Sequence, residues 1–279
     1  MSAPSMIESS LRSHREGSVL VVVNHDPETR NALTPAFYTG FRKLLEAAGN
    51  DSSIAAIVLT GAGDFFCSGG NLTVLKARTT MKESQRREGI DKLHGMIAAM
   101  RACPKPVIAA IEGGAAGAGV SLALACDMIV AARDAYVSLA YVRIGLTPDG
   151  GATAFLARSL PRQLVSELCL TGDRIGVQRL YELGLINRLT DANDALTTAL
   201  ELAQRLAKGP AGAMARIKRL VDSGAGNPLA EQLELEAQSM AASFGTAEGA
   251  EGIAAFLEKR KANFPPASNG DAKDQTGDA

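Results

Sequence analysis

The chain has 279 residues, 46% of them hydrophobic and 21% charged, with 28 Gly and 11 Pro, which is the profile of a globular protein and not of a disordered, collagenous or membrane-spanning one. Its 29 Lys and Arg against 30 Asp and Glu leave a formal charge of -1, which excludes the overall basic field that nucleic-acid binding draws on. An anionic partner must therefore be met by a local cluster of cations.

Residues 1–17 carry Ser, Glu, Arg and His without an apolar core, so they read as a flexible N-terminus and not as a secretory leader. A strand is predicted at Ser18–Val23, a helix at Pro35–Ala48 and a second strand at Ile54–Thr60. Residues Thr73–Gly89 are polar and charged after Leu75 and suggest a mobile wall beside a site. A helix at Asp91–Cys103 leads to strands at Pro106–Ile111 and Asp127–Ala132, with a helix at Val120–Cys126 between them. These strands are short Val- and Ile-rich runs bounded by Gly, Pro, Asp or Asn, as expected of strands buried on both faces, and the alternation implies an α/β core over residues 18–207. Lys208-Gly209-Pro210 then breaks the pattern, and residues 208–264 read as three helices, Ala211–Ser223, Pro228–Phe244 and Thr246–Phe264, whose apolar faces need the core or another subunit to cover them. Residues 265–279 are polar and rich in Gly, Asp and Ser, a disordered tail by composition.

The uncharged stretch between Glu112 and Asp127 is about fourteen residues long and full of glycine, short of the roughly 20 apolar residues of a membrane span. With no membrane segment expected, the predicted compartment is the cytoplasm. Cys67, Cys103, Cys126 and Cys169 share no CxxC spacing, and His14, His25 and His94 are scattered, so neither a disulfide framework nor a metal site is expected.

Two glycine-rich turns hold the chemistry. Phe66-Cys67-Ser68-Gly69-Gly70-Asn71-Leu72 and Gly113-Gly114-Ala115-Ala116-Gly117-Ala118-Gly119 each follow a predicted strand, and their small residues let backbone approach a ligand closely. Two such turns can aim main-chain N–H groups at one oxygen and stabilise negative charge that develops there. Tight packing of a helix on the sheet would use the same small residues. Neither turn has the GxGxxG spacing of a dinucleotide site or the Lys of a P-loop. Gly119-Val120-Ser121-Leu122-Ala123 approaches the GxSxG nucleophile elbow, but Ala123 replaces the last glycine and no histidine follows Ser121 in the chain.

Arg30-Asn31-Ala32-Leu33, the two turns, Gly145 to Thr153 and the ending Glu251 to Arg260 together resemble the crotonase superfamily, the enoyl-CoA hydratases and isomerases. The resemblance spans about Val19 to Phe264. It implies a crotonase-like spiral of ββα units with a C-terminal helical trimerisation region, assembled as homotrimers or hexamers, acting on an acyl-CoA whose coenzyme A is part of the substrate, with no separate cofactor. Carried over by position, Ser68 and Ala118 would supply the two amides, and Arg30, Ala32, Gly69, Gly70, Asn71, Leu72, Gly117, Ser121, Tyr141 and Lys259 would line the substrate. Asn71 stands where an Asp is common. Arg30, Lys259, Arg260 and Lys261 are candidates for the coenzyme A phosphates; a solvated helix face explains the last three equally well.

The hydratases of this family use two glutamates, and the matching positions here are Ser121 and Tyr141, which offer no carboxylate. Asp149 matches the site where isomerase-type members, including ring-opening or ring-expanding enzymes of phenylacetyl-CoA breakdown, carry an acid. The resemblance thus implies double-bond isomerisation with Asp149 as acid and base; a hydratase with other water activation and a silent acyl-CoA binder are the alternatives. Pro148-Asp149-Gly150 is also a common turn sequence, Tyr141 could simply face the core, and His94 lies near a region where dehalogenating relatives place a base, although a lone helical histidine is commonly structural.

Overall fold

The computed structural model describes residues 10–264. Strand β1 (Leu11–Glu16) runs antiparallel to β2 (Val19–Asn24), and the chain then forms helix α1 (Pro35–Asn50) and strand β3 (Ala56–Gly61). Helices α2 (Leu72–Arg78) and α3 (Glu83–Ala102) precede strands β4 (Val107–Ile111) and β5 (Gly114–Ala116), helix α4 (Ala118–Leu124), and strands β6 (Met128–Ala132) and β7 (Tyr136–Ser138). Helices α5 (Ala152–Ser159) and α6 (Arg162–Thr171), strand β8 (Arg174–Gly176), helix α7 (Val177–Glu182), strand β9 (Arg188–Thr190) and helix α8 (Ala195–Leu206) complete the core. Helices α9 (Ala211–Gly224), α10 (Leu229–Phe244) and α11 (Ala247–Leu257) form the C-terminal region.

The strands make two sheets, one ordered β1-β2-β3-β4-β6-β9 and a smaller one ordered β5-β7-β8. From β2 to β9 every neighbour in the large sheet is parallel, which requires crossover connections and explains the intervening helices. After β4 and β6 the chain steps from the large sheet into the small one, at β5 and β7. This repeated ββα step is the spiral the sequence implied.

Because successive strand residues face opposite sides, each central strand feeds two cores. Val19, Val58, Ile108 and Val130 pack with Ala195, Ala199 and Leu202 of α8 on one face. Leu20, Val22, Ile57 and Leu59 pack on the other with Phe37 and Phe41 of α1 and Leu93, Met96 and Met100 of α3. Burying each large side chain contributes roughly 1.5–3 kcal/mol, so this second core fixes α3 firmly against the sheet.

Three boundaries differ from the sequence reading. The segment 1–17 is not flexible over Leu11–Glu16: β1 pairs with β2 along its whole length, but only Leu11 is buried, so an edge strand with polar side chains gave no hydrophobic signal. Helix α3 starts at Glu83 and not at Asp91, because the Lys82 N–H donates to the Gln85 side-chain oxygen (3.1 Å) and caps an early, polar turn. Helix α11 stops at Leu257 and not at Phe264, because Lys259 adopts a left-handed backbone (φ 54°) and the Arg260 N–H returns to the Ala255 carbonyl (3.0 Å). The tail 265–279 lies outside the described residues.

Candidate active site

The first glycine-rich turn is held by the segment before α1. Arg30 and Asn31 both have positive φ (55° and 58°), a conformation that a short polar side chain can support by local bonding. Asn31 is fully buried: its Nδ2 donates to the carbonyls of Ala62 (2.8 Å) and Phe65 (2.5 Å), while its Oδ1 accepts from the Asp26 N–H (2.9 Å). That side chain pins the turn to the loop after β3. Leu33 then exchanges backbone bonds with the turn, its N–H reaching the Gly69 carbonyl (2.7 Å) and its carbonyl accepting from Asn71 (3.1 Å).

These ties decide which amides are open. The Ser68 N–H donates to the Arg30 carbonyl (2.9 Å), and the Ser68 hydroxyl donates to the Thr29 carbonyl (2.8 Å). Ser68 is therefore not an available oxyanion donor, which corrects the positional carry-over by two residues. The Gly69 N–H is directed at the Cys67 sulfur, and burial pushes that thiol up to about 12. Among the described residues, the Gly70 N–H donates to no protein acceptor.

The second turn lies directly against the first. Cys67 and Ala115 form a parallel bridge, and the Ala116 N–H donates to the Cys67 carbonyl (2.9 Å). Gly117 has φ 50° and ψ -128°, a backbone that only glycine adopts readily, and it turns Ala118 into the first residue of α4. The Ala118 N–H likewise has no protein acceptor among the described residues. A methyl group built on Gly69, whose φ is 96°, would lie 3.3 Å from the Ala118 nitrogen and 2.7 Å from the Ala116 oxygen. Gly69 is thus a further point of close contact between the turns, and the open amides flank it.

Asp149 is tied to the helix and side chain that follow the second turn. The buried Tyr141 donates its hydroxyl to Asp149 Oδ1 (2.8 Å), and the fully buried Ser121 of α4 donates to the Asp149 carbonyl (2.7 Å). Tyr141 also approaches the second turn, its Cζ being 3.9 Å from where a Cβ on Gly117 would lie. Burial, then the Asp149 charge, raises the Tyr141 phenol well above its ordinary range, so it acts as a neutral donor. Gly150 packs so closely on Ser121 that a Cβ there would be 2.7 Å from the Ser121 Cβ. The two positions that would carry hydratase glutamates both spend their hydroxyls on the one acid.

The remaining predicted residues divide. Arg30 is exposed at the rim, with its guanidinium over the Phe65 ring at 5.5 Å, and Leu72 is exposed at the start of α2. The Asn71 side chain accepts from the N–H groups of Thr73 (3.0 Å) and Val74 (3.2 Å) and caps α2, a role that Asp fills equally well. Ala32 is buried, and its N–H donates to Thr29 Oγ1 (3.1 Å). Lys259 lies at the end of α11, with no hydrogen bond or ion pair to either turn among the described residues. Arg260 is exposed and paired with Glu251 (2.6 Å) and Glu258 (2.6 Å).

Two residues were missed in the sequence. Tyr38 of α1 is buried, and burial raises its phenol above the ordinary range, with Arg78 lowering it and Asp149 raising it, which places all three in one neighbourhood. Only the helical register of α1 could have signalled this. A cavity of about 770 Å³ lies elsewhere, between α9 and the core, lined among others by Arg101, Phe155, Met214 and Lys218, and includes neither turn. Among the described residues there is no cluster of His, Cys, Asp or Glu that could hold a metal ion, and no helix is long and apolar enough to cross a membrane.

Comparison with known proteins agrees with this architecture. The family model for enoyl-CoA hydratase/isomerase matches residues 14–266. A probable enoyl-CoA hydratase of Rhodobacter capsulatus is 37% identical over 249 residues, covering 89% of this chain and 95% of the relative. The 1,2-epoxyphenylacetyl-CoA isomerase of Escherichia coli is 32% identical, covering 90% and 97%. An enoyl-CoA hydratase structure from Polaromonas sp. JS666 superposes with a TM-score of 0.89 at 45% identity, covering 91% and 99%. The chain therefore belongs to the enoyl-CoA hydratase/isomerase family of the crotonase superfamily.

Proposed function

We propose that the protein is an acyl-CoA double-bond isomerase in which Asp149 moves the proton and the amides of Gly70 and Ala118 hold the thioester oxygen. A β,γ-unsaturated acyl thioester would bind with its carbonyl between those amides. The Asp149 carboxylate takes a proton from the α carbon, the electron pair delocalises into a dienolate with its charge on the thioester oxygen, and Asp149 returns the proton to the γ carbon. The double bond moves into conjugation, atoms and electrons balance, and no cofactor is consumed. Donors that meet the dienolate oxygen more strongly than the ground-state carbonyl lower the barrier.

The observation that carries this reading is the double attachment of Asp149: Tyr141 fixes its carboxylate and Ser121 its backbone. A carboxylate held at one end by a neutral donor keeps its other oxygen for the substrate. Hydration is the second reading, favoured by the names of several relatives, among them the Rhodobacter protein; the Tyr141 and Ser121 hydroxyls would then have to order the water. Separate assays with a β,γ-unsaturated acyl-CoA and with crotonyl-CoA distinguish the two. Isomerisation without hydration supports the proposal, hydration without isomerisation reverses the ranking, and binding without turnover leaves a silent acyl-CoA binder.

Arg30 is proposed to meet the coenzyme A phosphates, and the exposed apolar side chains of α10 and α11, such as Leu229, Phe244 and Phe256, to be covered in a homotrimer or hexamer. Sedimentation at three or six times the 29.0 kDa chain mass tests that assembly.

A further inference from the structure

Asp149 lies on a loop, residues 145–151, that belongs to neither sheet and to no α-helix. Its position depends on side chains that reach it from other elements. Tyr141 and Ser121 supply two of these ties. The third comes from α3, where the Gly150 N–H donates to His94 Nε2 (3.3 Å). Leu93, the residue before His94, is buried in the core and also lies 3.6 Å from where a Cβ on Gly150 would be, so the backbone that carries His94 is fixed. The amide that His94 holds is the one that follows Asp149.

We propose that His94 is a positioning residue for Asp149, acting through the Gly150 amide in its neutral form, and that protonation of its ring releases the acid-bearing loop. This inference rests on the isomerase reading for its effect on turnover, but not for its structural part. Nε2 can accept the Gly150 hydrogen only while it keeps its lone pair; once protonated it becomes a donor facing another donor. The bond is present above the titration of the ring and lost below it. Among the described residues, the charged and titratable groups on the elements packed around this part of α3 include Tyr38, Arg42 and its partner Glu46 of α1, Arg78 of α2, Tyr141 and Asp149 itself. On α3, Asp91 is paired with Arg87 and Lys92 with Glu88. The role differs from that of a histidine base, because Nε2 is occupied by the main-chain Gly150 amide.

The sequence offers a clean probe. Asp149-Gly150 is the only Asp-Gly step in the chain, so labelling Asp with carbonyl ¹³C and Gly with ¹⁵N marks the Gly150 amide alone. In the wild-type protein its resonance should move on acidification, as the His94 ring gains its second proton. In His94→Gln, whose side-chain oxygen can accept but does not titrate, that movement should vanish. In parallel, kcat for a β,γ-unsaturated acyl-CoA should fall on the order of 10-fold or more in His94→Leu, with KM nearly unchanged, and only about threefold in His94→Gln. The acid-side loss of kcat should be weaker in His94→Gln than in the wild type. A Gly150 resonance that ignores pH in the wild type, or that moves equally in His94→Gln, overturns the proposal. Turnover lost in every form while the resonance behaves as described overturns the isomerase reading and leaves the His94 contact standing.

Discussion

Asn31, Gly69 and Ser68 show how closely single residues control this site. Asn31 and Gly69 fix the geometry, one by three side-chain hydrogen bonds and the other by its lack of a side chain. Gly69→Ala should therefore lower kcat about 10²-fold or more, since its methyl group meets the Ala116 oxygen and the Ala118 nitrogen, while costing roughly 1–3 kcal/mol of stability for the left-handed backbone. Steady-state kinetics beside urea unfolding separates those effects; full activity would show that the turns tolerate separation. The sequence made both turns legible, because glycine runs are local features, whereas it singled out Asp149 only through the family resemblance, Pro-Asp-Gly alone reading as a turn. It could not tell Ser68 from Gly70, since which amide is already spent depends on the Arg30 carbonyl, 38 residues away in the chain.

At the scale of elements, the Val- and Ile-rich strands and α1 were readable because burial on both faces leaves uninterrupted apolar runs. Strand β1 and the start of α3 were not, since their order comes from backbone pairing and a cap. The C-terminal helices are joined to the core by ions as well as by packing. Lys218 of α9 is nearly buried, 2.9 Å from Asp127 Oδ2, and also donates to the carbonyls of Met100 (3.1 Å) and Lys105 (3.3 Å), while Arg101 of α3 binds both Asp127 and Asp222. Removing Lys218 leaves Asp127 with Arg101 as its remaining cation and takes the donor from two carbonyls. Lys218→Ala should thus destabilise the protein by about 1–3 kcal/mol in urea unfolding. A loss under about 1 kcal/mol, the range of exposed pairs, would mean that α9 is held by apolar contact alone.

For the whole molecule, the same burial that builds the core sets an alkaline limit. Burial pushes the Cys67 thiol up to about 12, so the folded chain keeps its proton after an unfolded one has lost it. Its contribution to stability is complete below pH 9 and is lost as pH rises from there to 12. The urea midpoint of the wild type should accordingly fall more steeply between pH 8 and about 10.5 than that of Cys67→Ala; parallel curves would contradict this. The spiral as a whole was legible from ordered motifs along the chain, whereas the convergence of α3 and α4 on the 145–151 loop that carries Asp149 is a product of packing across the fold. That convergence makes Asp149 the centre of the account. Its most direct test is the rate at which a β,γ-unsaturated acyl-CoA becomes the conjugated thioester with wild-type protein and with Asp149→Asn. We predict measurable isomerisation by the wild type and a loss on the order of 10²–10⁴-fold in the variant, with acyl-CoA binding kept. Equal rates in the two proteins would contradict the assignment of the proton to Asp149.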